Sequence, residues 1–199
     1  MTIEELKRRG HQAMPIYGPL TVTVPGALSG WVALLERYGT ISLAQALEPT
    51  IQLAENGFPV SPMIAKEWDV LGTRLREDPG GKAAFFSADG KAPAAGEWFT
   101  NRDLAATFRQ IAREGPTVFY GGALGQRVAD GLKSLGGFLT IDDFRNHKVE
   151  WQTPLGADYK GYRLWELPPN GQGVAALEML KILEPFDLRG MGHNSAPYL

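Results

Sequence analysis

The side chains that could do chemistry in this sequence are few, and their spacing decides what each can do. Gly26-Ala-Leu-Ser29-Gly30 invites comparison with a nucleophile elbow, the sharp Gly-x-Ser-x-Gly turn that exposes a catalytic serine. Ser29 stands one place too late for that pattern, so it reads as a small residue at a helix start. Asp143 and His147 are four apart and could share a helix face as metal ligands. A metal site needs at least a third ligand and supporting partners. None is apparent, so a capping aspartate and a surface histidine are the better reading. Gly121-Gly-Ala-Leu-Gly125 fails the phosphate-loop pattern, and no Lys-Ser/Thr follows it. Pro168-Pro-Asn-Gly-Gln-Gly173 is a tight loop whose glycines permit close backbone approach. The chain has 0 cysteines, which excludes disulfides, thiolate metal sites and a cysteine nucleophile. The other histidines, His11 and His193, are scattered.

The elements that would carry these residues follow from hydrophobic spacing and punctuation. Leu20-Thr-Val-Thr-Val24 alternates and reads as a strand ended by Pro25-Gly26. Leu28, Trp31, Leu34, Leu35 and Tyr38 recur at helical spacing before Gly39. Ser42-Leu-Ala-Gln45 has the reciprocal capping pattern, and Asn56-Gly57 closes the helix that follows. Pro49 lies inside that helix, where proline kinks or splits. Ser61 opens a further helix to Leu75, and residues 78–96 read as an irregular excursion pinned by Phe85-Phe86. Thr100 or Asn101 caps a helix through Leu104, Phe108 and Ile111, and another runs through Leu124, Val128 and Leu132. Thr140-Ile-Asp-Asp143 opens a short one. Val149–Thr153, Leu155–Tyr159 and Tyr162–Leu167 read as extended segments, and Val174–Leu183 as an apolar helix. The tryptophans Trp31, Trp68, Trp98, Trp151 and Trp165 are spread out and form no stacking platform.

At 199 residues, with 44% hydrophobic and 21% charged residues, the composition is that of a folded soluble domain. A net charge of -2 gives no electrostatic reason to expect nucleic acid or an anionic membrane as partner. No run approaches the roughly 18 apolar residues of a membrane span. Residues 1–199 read as a single incomplete domain, with a mainly helical part over 14–148. Strands, the Pro-Pro loop and a core helix occupy 149–199. The fold class expected is α+β, mainly helical.

Four stretches, in order, resemble the large subunit of γ-glutamyltranspeptidases. They are Thr21-Val-Thr-Val-Pro-Gly26 with Gly30-Trp31, Tyr38-Gly39 and Gly57-Phe-Pro-Val60; Gly115-Pro-Thr-Val-Phe-Tyr-Gly121; Gly136-Gly-Phe-Leu-Thr-Ile-Asp-Asp-Phe144; and Leu167-Pro-Pro-Asn-Gly-Gln-Gly173 with Leu177, Leu180, Ile182, Leu183 and Glu184. The resemblance implies part of an N-terminal-nucleophile hydrolase αββα sandwich. The family's precursors cut themselves before a threonine that then attacks γ-glutamyl amides such as glutathione. The acyl group passes to water or an amine. The family's threonine nucleophile and its arginine clamp for the glutamate carboxylate belong to segments without a counterpart here. The resemblance therefore implies no catalytic, substrate-binding or metal residue in this stretch, and no cofactor. It implies the small subunit of the same precursor as partner, and mainly a scaffold role with no activity of the chain alone. A related cephalosporin-type acylase and a non-catalytic helical interaction module are the other readings.

Overall fold

The computed structural model describes residues 2–199, which separate into two compact units with the boundary between Val149 and Glu150. The first unit is built on two helices, α3 (Leu43–Asn56) and α7 (Arg102–Glu114). Helix α3 starts as its sequence requires. The Ser42 hydroxyl accepts from the Gln45 N–H at 3.2 Å, and the Gln45 side chain accepts from the Ser42 N–H at 2.9 Å. Pro49 lies inside it without ending it. Asn101 caps α7 by accepting from the Leu104 N–H at 2.9 Å. Leu47, Ile51 and Ala54 of α3 and Ala105 and Ile111 of α7 share one buried cluster with Leu28, Val118 and Leu124. Leu28 comes from α2 (Ala27–Tyr38) and Leu124 from α8 (Ala123–Ser134). The Asn101 N–H donates to the Ala54 carbonyl at 2.7 Å, which ties the head of α7 to the tail of α3.

Past Gly57 the chain makes a two-residue strand β1 (Phe58–Pro59), antiparallel to β2 (Trp98–Phe99). The Trp98 indole N–H donates to the Asn56 carbonyl at 2.6 Å, and the Cδ1–Nε1 edge of the ring lies against Gly57. Gly57 has φ +86, and a Cβ there would sit 2.5 Å from that ring, so only glycine fits on both counts. The arm between β1 and β2 differs from the sequence expectation. The helix expected over 61–75 divides at Gly72 into α4 (Pro62–Leu71) and α5 (Thr73–Glu77). Phe86 occupies the space a side chain at Gly72 would need. The excursion over 78–96 contains helix α6 (Pro79–Phe85), capped by Asp78, which accepts from the Gly81 N–H at 2.7 Å. Its glycines hid it: Gly80-Gly81 opposes helix by propensity, but Gly81 is buried against the Leu75 carbonyl. Arg76 fastens the arm, donating to the Asp69 side chain and carbonyl and to the Gly90 carbonyl while lying over Phe86.

Two expected strands are corrected. Pro19–Thr21 is a 3₁₀ turn, and residues 22–26 pair with no strand among the described residues. Alternation specifies a strand only where a partner supplies the ladder, and Pro19 and Pro25 each lack an N–H. Among the described residues, 149–153 likewise form no strand, and Pro154 precedes the hairpin. The unit closes with α9 (Ile141–Asn146), whose Phe144 is 0% exposed.

The second unit is a hairpin, β3 (Leu155–Tyr159) and β4 (Tyr162–Glu166), packed with α10 (Gly173–Leu183). Lys160 and Gly161 have φ of 45 and 88, the two positive values that a tight two-residue hairpin turn needs. Lys181 of α10 donates to the Asp158 carbonyl at 3.1 Å, and Lys160 to the Phe186 carbonyl at 2.8 Å. A short helix, α11 (Leu188–Met191), follows. The fold is α+β and mainly helical, 54% of residues being in helix.

Ile51 is 2% exposed at the centre of the cluster, so Ile51→Ala is expected to cost about 2–4 kcal/mol. Urea unfolding followed by circular dichroism measures this. Ile16→Ala, at a side chain 82% exposed, should change stability by no more than about 0.5 kcal/mol.

Candidate functional site

Ser29 sits in the first turn of α2, three residues after Gly26, so its hydroxyl reaches the Gly26 carbonyl at 2.7 Å. The fold brings His147, which ends α9, against the same hydroxyl, with Nε2 2.9 Å from Oγ. No local pattern of residues marks this pairing. Tyr120 completes the cluster: its ring stacks on His147 with centroids 5.2 Å apart and 22° between planes. Its hydroxyl donates to the Pro25 carbonyl at 2.7 Å and accepts the Ser29 N–H at 3.1 Å. No local signal marks Tyr120 for this role, because it lies 91 positions from Ser29 and His147 lies 118 positions from Ser29.

Asp143 does not join His147. Its carboxylate accepts from both the Thr140 N–H at 2.7 Å and the Thr140 hydroxyl at 2.8 Å, closing the start of α9. Those bonds hold its pKa below the ordinary aspartate value. Among the described residues no group of three or more His, Cys, Asp or Glu could hold a metal ion. Other shifted carboxylates lie on the surface. Glu5 is held at about 2 by the Arg8 and Arg9 guanidinium groups, and Asp89 at about 2 by Lys91 and the Ser87 hydroxyl. A functional cleft would put such groups together in a cavity. A shallow apolar depression of about 370 Å³ lies between Val32, Leu35, Leu43, Ala112 and Pro116, and its polar lining is Glu36 and Ser42.

The two glycine-rich loops have packing duties. A Cβ at Gly125 would lie 2.0 Å from the Phe119 carbonyl, so glycine lets α8 start against the preceding turn. In the Pro168–Gly173 loop, a Cβ at Gly173 would lie 2.8 Å from the Glu166 side chain, so glycine lets α10 start close against the end of β4. Among the described residues no helix is long and apolar enough to cross a membrane.

Comparison with known proteins agrees with this account of the fold. The sequence model of the gamma-glutamyltranspeptidase family matches residues 1–199, and the chain belongs to that family. It is 40% identical over 191 residues to the glutathione hydrolase-like YwrD proenzyme of Bacillus subtilis, covering 96% of this chain and 36% of that protein. It is 38% identical to the acylase ACY 1 proenzyme of Pseudomonas sp. (strain SE83), covering 90% of this chain and 32% of that one. The chain thus spans about a third of the length of these relatives. The Helicobacter pylori gamma-glutamyltranspeptidase structure superposes with a TM-score of 0.86 at 30% identity, over 94% of this chain and 54% of that chain. A cephalosporin acylase structure from Bacillus halodurans gives 0.84 at 39% identity, over 93% and 36%. The fold is therefore the corresponding, incomplete part of the scaffold these enzymes share.

Removing the Tyr120 hydroxyl should matter more than its exposure suggests. Tyr120→Phe strands the Ser29 N–H and the Pro25 carbonyl and is expected to cost about 1–2 kcal/mol in urea unfolding. Asp143 gives a pH test. Its folded-state pKa is lowered, so its stabilisation is present above the unfolded value and is lost as pH falls through the folded value. Between about pH 5 and about pH 2.5 the urea midpoint of the parent chain should fall further than that of Asp143→Asn, which keeps an acceptor without the charge.

Proposed function

We propose that this chain is the middle-to-late part of the large subunit of a γ-glutamyltransferase or hydrolase, and that it serves as scaffold. The whole enzyme would cleave γ-glutamyl amides such as glutathione and pass the acyl group to water or an amine. The carrying observation is the superposition on the Helicobacter pylori gamma-glutamyltranspeptidase at a TM-score of 0.86 over 94% of this chain. The candidate side chains support the scaffold role: Ser29, His147 and Tyr120 bond to one another and to backbone, and Asp143 is spent on a helix cap. On this reading residues 1–199 hold no catalytic, substrate-binding or metal-ligating position. The nucleophile is the N-terminal threonine that cleavage of the precursor frees, and its own α-amine acts as base.

The second unit fits a partner from the same precursor. Leu177 is its one buried side chain among the described residues, while Trp165, Leu167, Met179 and Ile182 stand exposed. A hairpin and one helix cannot bury enough apolar area to be stable unaided. The small subunit is the partner proposed to cover them. A related acylase is the second reading, favoured by the 39% identity to the Bacillus halodurans cephalosporin acylase. The scaffold would be the same, and only the acyl pocket would differ.

The purified 199-residue chain is expected to release no p-nitroaniline from γ-glutamyl-p-nitroanilide, with enzyme-free buffer as reference. Turnover above that background would overturn the scaffold reading. In a protein joining this chain to the remainder of a relative-length sequence, γ-glutamyl-p-nitroanilide is expected to be cleaved faster than an acylated cephalosporin. The reverse order would favour the acylase.

A further inference from the structure

We infer that Ser29, His147 and Tyr120 form a proton-ordered clasp, in which the imidazole is protonated on Nε2 and Ser29 passes the bond on to backbone instead of acting as a nucleophile. The proton inventory decides this. Two contacts converge on Ser29 Oγ, one from the Gly26 carbonyl at 2.7 Å and one from His147 Nε2 at 2.9 Å. Two electronegative atoms that close repel unless a proton lies between them, so each contact needs one. A carbonyl oxygen has no proton to give, and a serine hydroxyl has one. The Ser29 proton therefore points to Gly26, and the proton in the second contact comes from Nε2. The opposite arrangement, with the serine donating to an unprotonated Nε2 as in a nucleophile–base pair, would leave oxygen facing oxygen at 2.7 Å without a proton.

The rest of the clasp agrees with that order. The Ser29 N–H is already given to Tyr120 Oη, whose own proton is given to Pro25. Two donor relays end on backbone carbonyls at the head of α2: His147 through the Ser29 hydroxyl to Gly26, and the Ser29 N–H through the Tyr120 hydroxyl to Pro25. The imidazole also packs against the backbone at Gly26, where a Cβ would stand at ordinary contact distance, 3.4 Å from Cε1 and 3.5 Å from Nε2. His147 ends α9, two residues before Val149, the last residue of the first unit. The clasp thus ties the last turn of the first unit to the start of α2, across 118 residues of chain. It acts as a positioning device at the point where the chain leaves that unit.

Two measurements test it. In the chain labelled with ¹⁵N-histidine, long-range ¹H–¹⁵N correlation on the neutral ring should show His147 with a protonated Nε2 and a bare Nδ1. His147→Gln assigns the signal by its loss. An Nδ1–H form, or the averaged pattern of a free imidazole, overturns the proposal. Limited trypsin cleavage after Lys148 reads the tether. His147→Ala and Ser29→Ala should raise the initial cleavage rate there roughly tenfold. His147→Gln, whose side-chain amide carries a donor at a comparable reach, should stay nearer the parent rate. Equal rates for the parent, His147→Ala and Ser29→Ala would overturn the tether, as would covalent labelling of Ser29 by a fluorophosphonate.

Discussion

The close packing of α3 on α7 is the constraint on which the first unit depends. Ala54 and Ala105 are small enough to let the helices approach, and Ile51 and Ile111 fill the seam between them. The approach also supplies hydrogen bonds that a looser pair could not make. Asn101 reaches the Ala54 carbonyl, and the Trp98 indole reaches the Asn56 carbonyl. Both carbonyls belong to the last turn of α3, which has no partner of its own there. The seam therefore satisfies the helix end and fixes β1 against β2 in the same step. The Glu55–Arg109 ion pair bridges the two helices at the exposed rim, where it adds little beyond orientation.

The rest of the first unit attaches to that pair through backbone contacts that only glycine permits. Gly57 lets the Trp98 ring lie on the chain, and Gly125 starts α8 against the Phe119 carbonyl. Gly57 also lies in one of the stretches that carry the resemblance to γ-glutamyltranspeptidases. The family likeness and the packing meet at that residue, which lets two segments of backbone approach. Nothing in those stretches requires chemistry, which is why membership of the family is firmer than any activity of these residues.

Much of the helical fold was legible because its signals are local. The Ser42–Gln45 and Thr140–Asp143 pairs, the Asn101 cap and the Asn56-Gly57 stop each act within four residues, and all lie where the spacing puts them. Two kinds of feature were not legible. Leu20–Val24 alternates like a strand, but the partner that would make it one is a tertiary matter. Helix α6 contradicts its own propensity at Gly80-Gly81, and tertiary contact with Leu75 outweighs that local cost. The meeting of Ser29, Tyr120 and His147 belongs to the first kind. Each residue looks unremarkable in its own segment, and only the fold shows that they share protons.

The central claim is that this stretch holds the enzyme's shape while the reacting groups lie outside it. Affinity labelling tests it most directly. A protein carrying residues 1–199 together with the remainder of a relative-length sequence would be treated with an electrophilic γ-glutamyl analogue, and the labelled peptide mapped by mass spectrometry. The label is expected on a residue outside 1–199, at the N-terminal threonine of the processed chain. Stoichiometric label on any side chain within 1–199, Ser29 above all, would contradict the account.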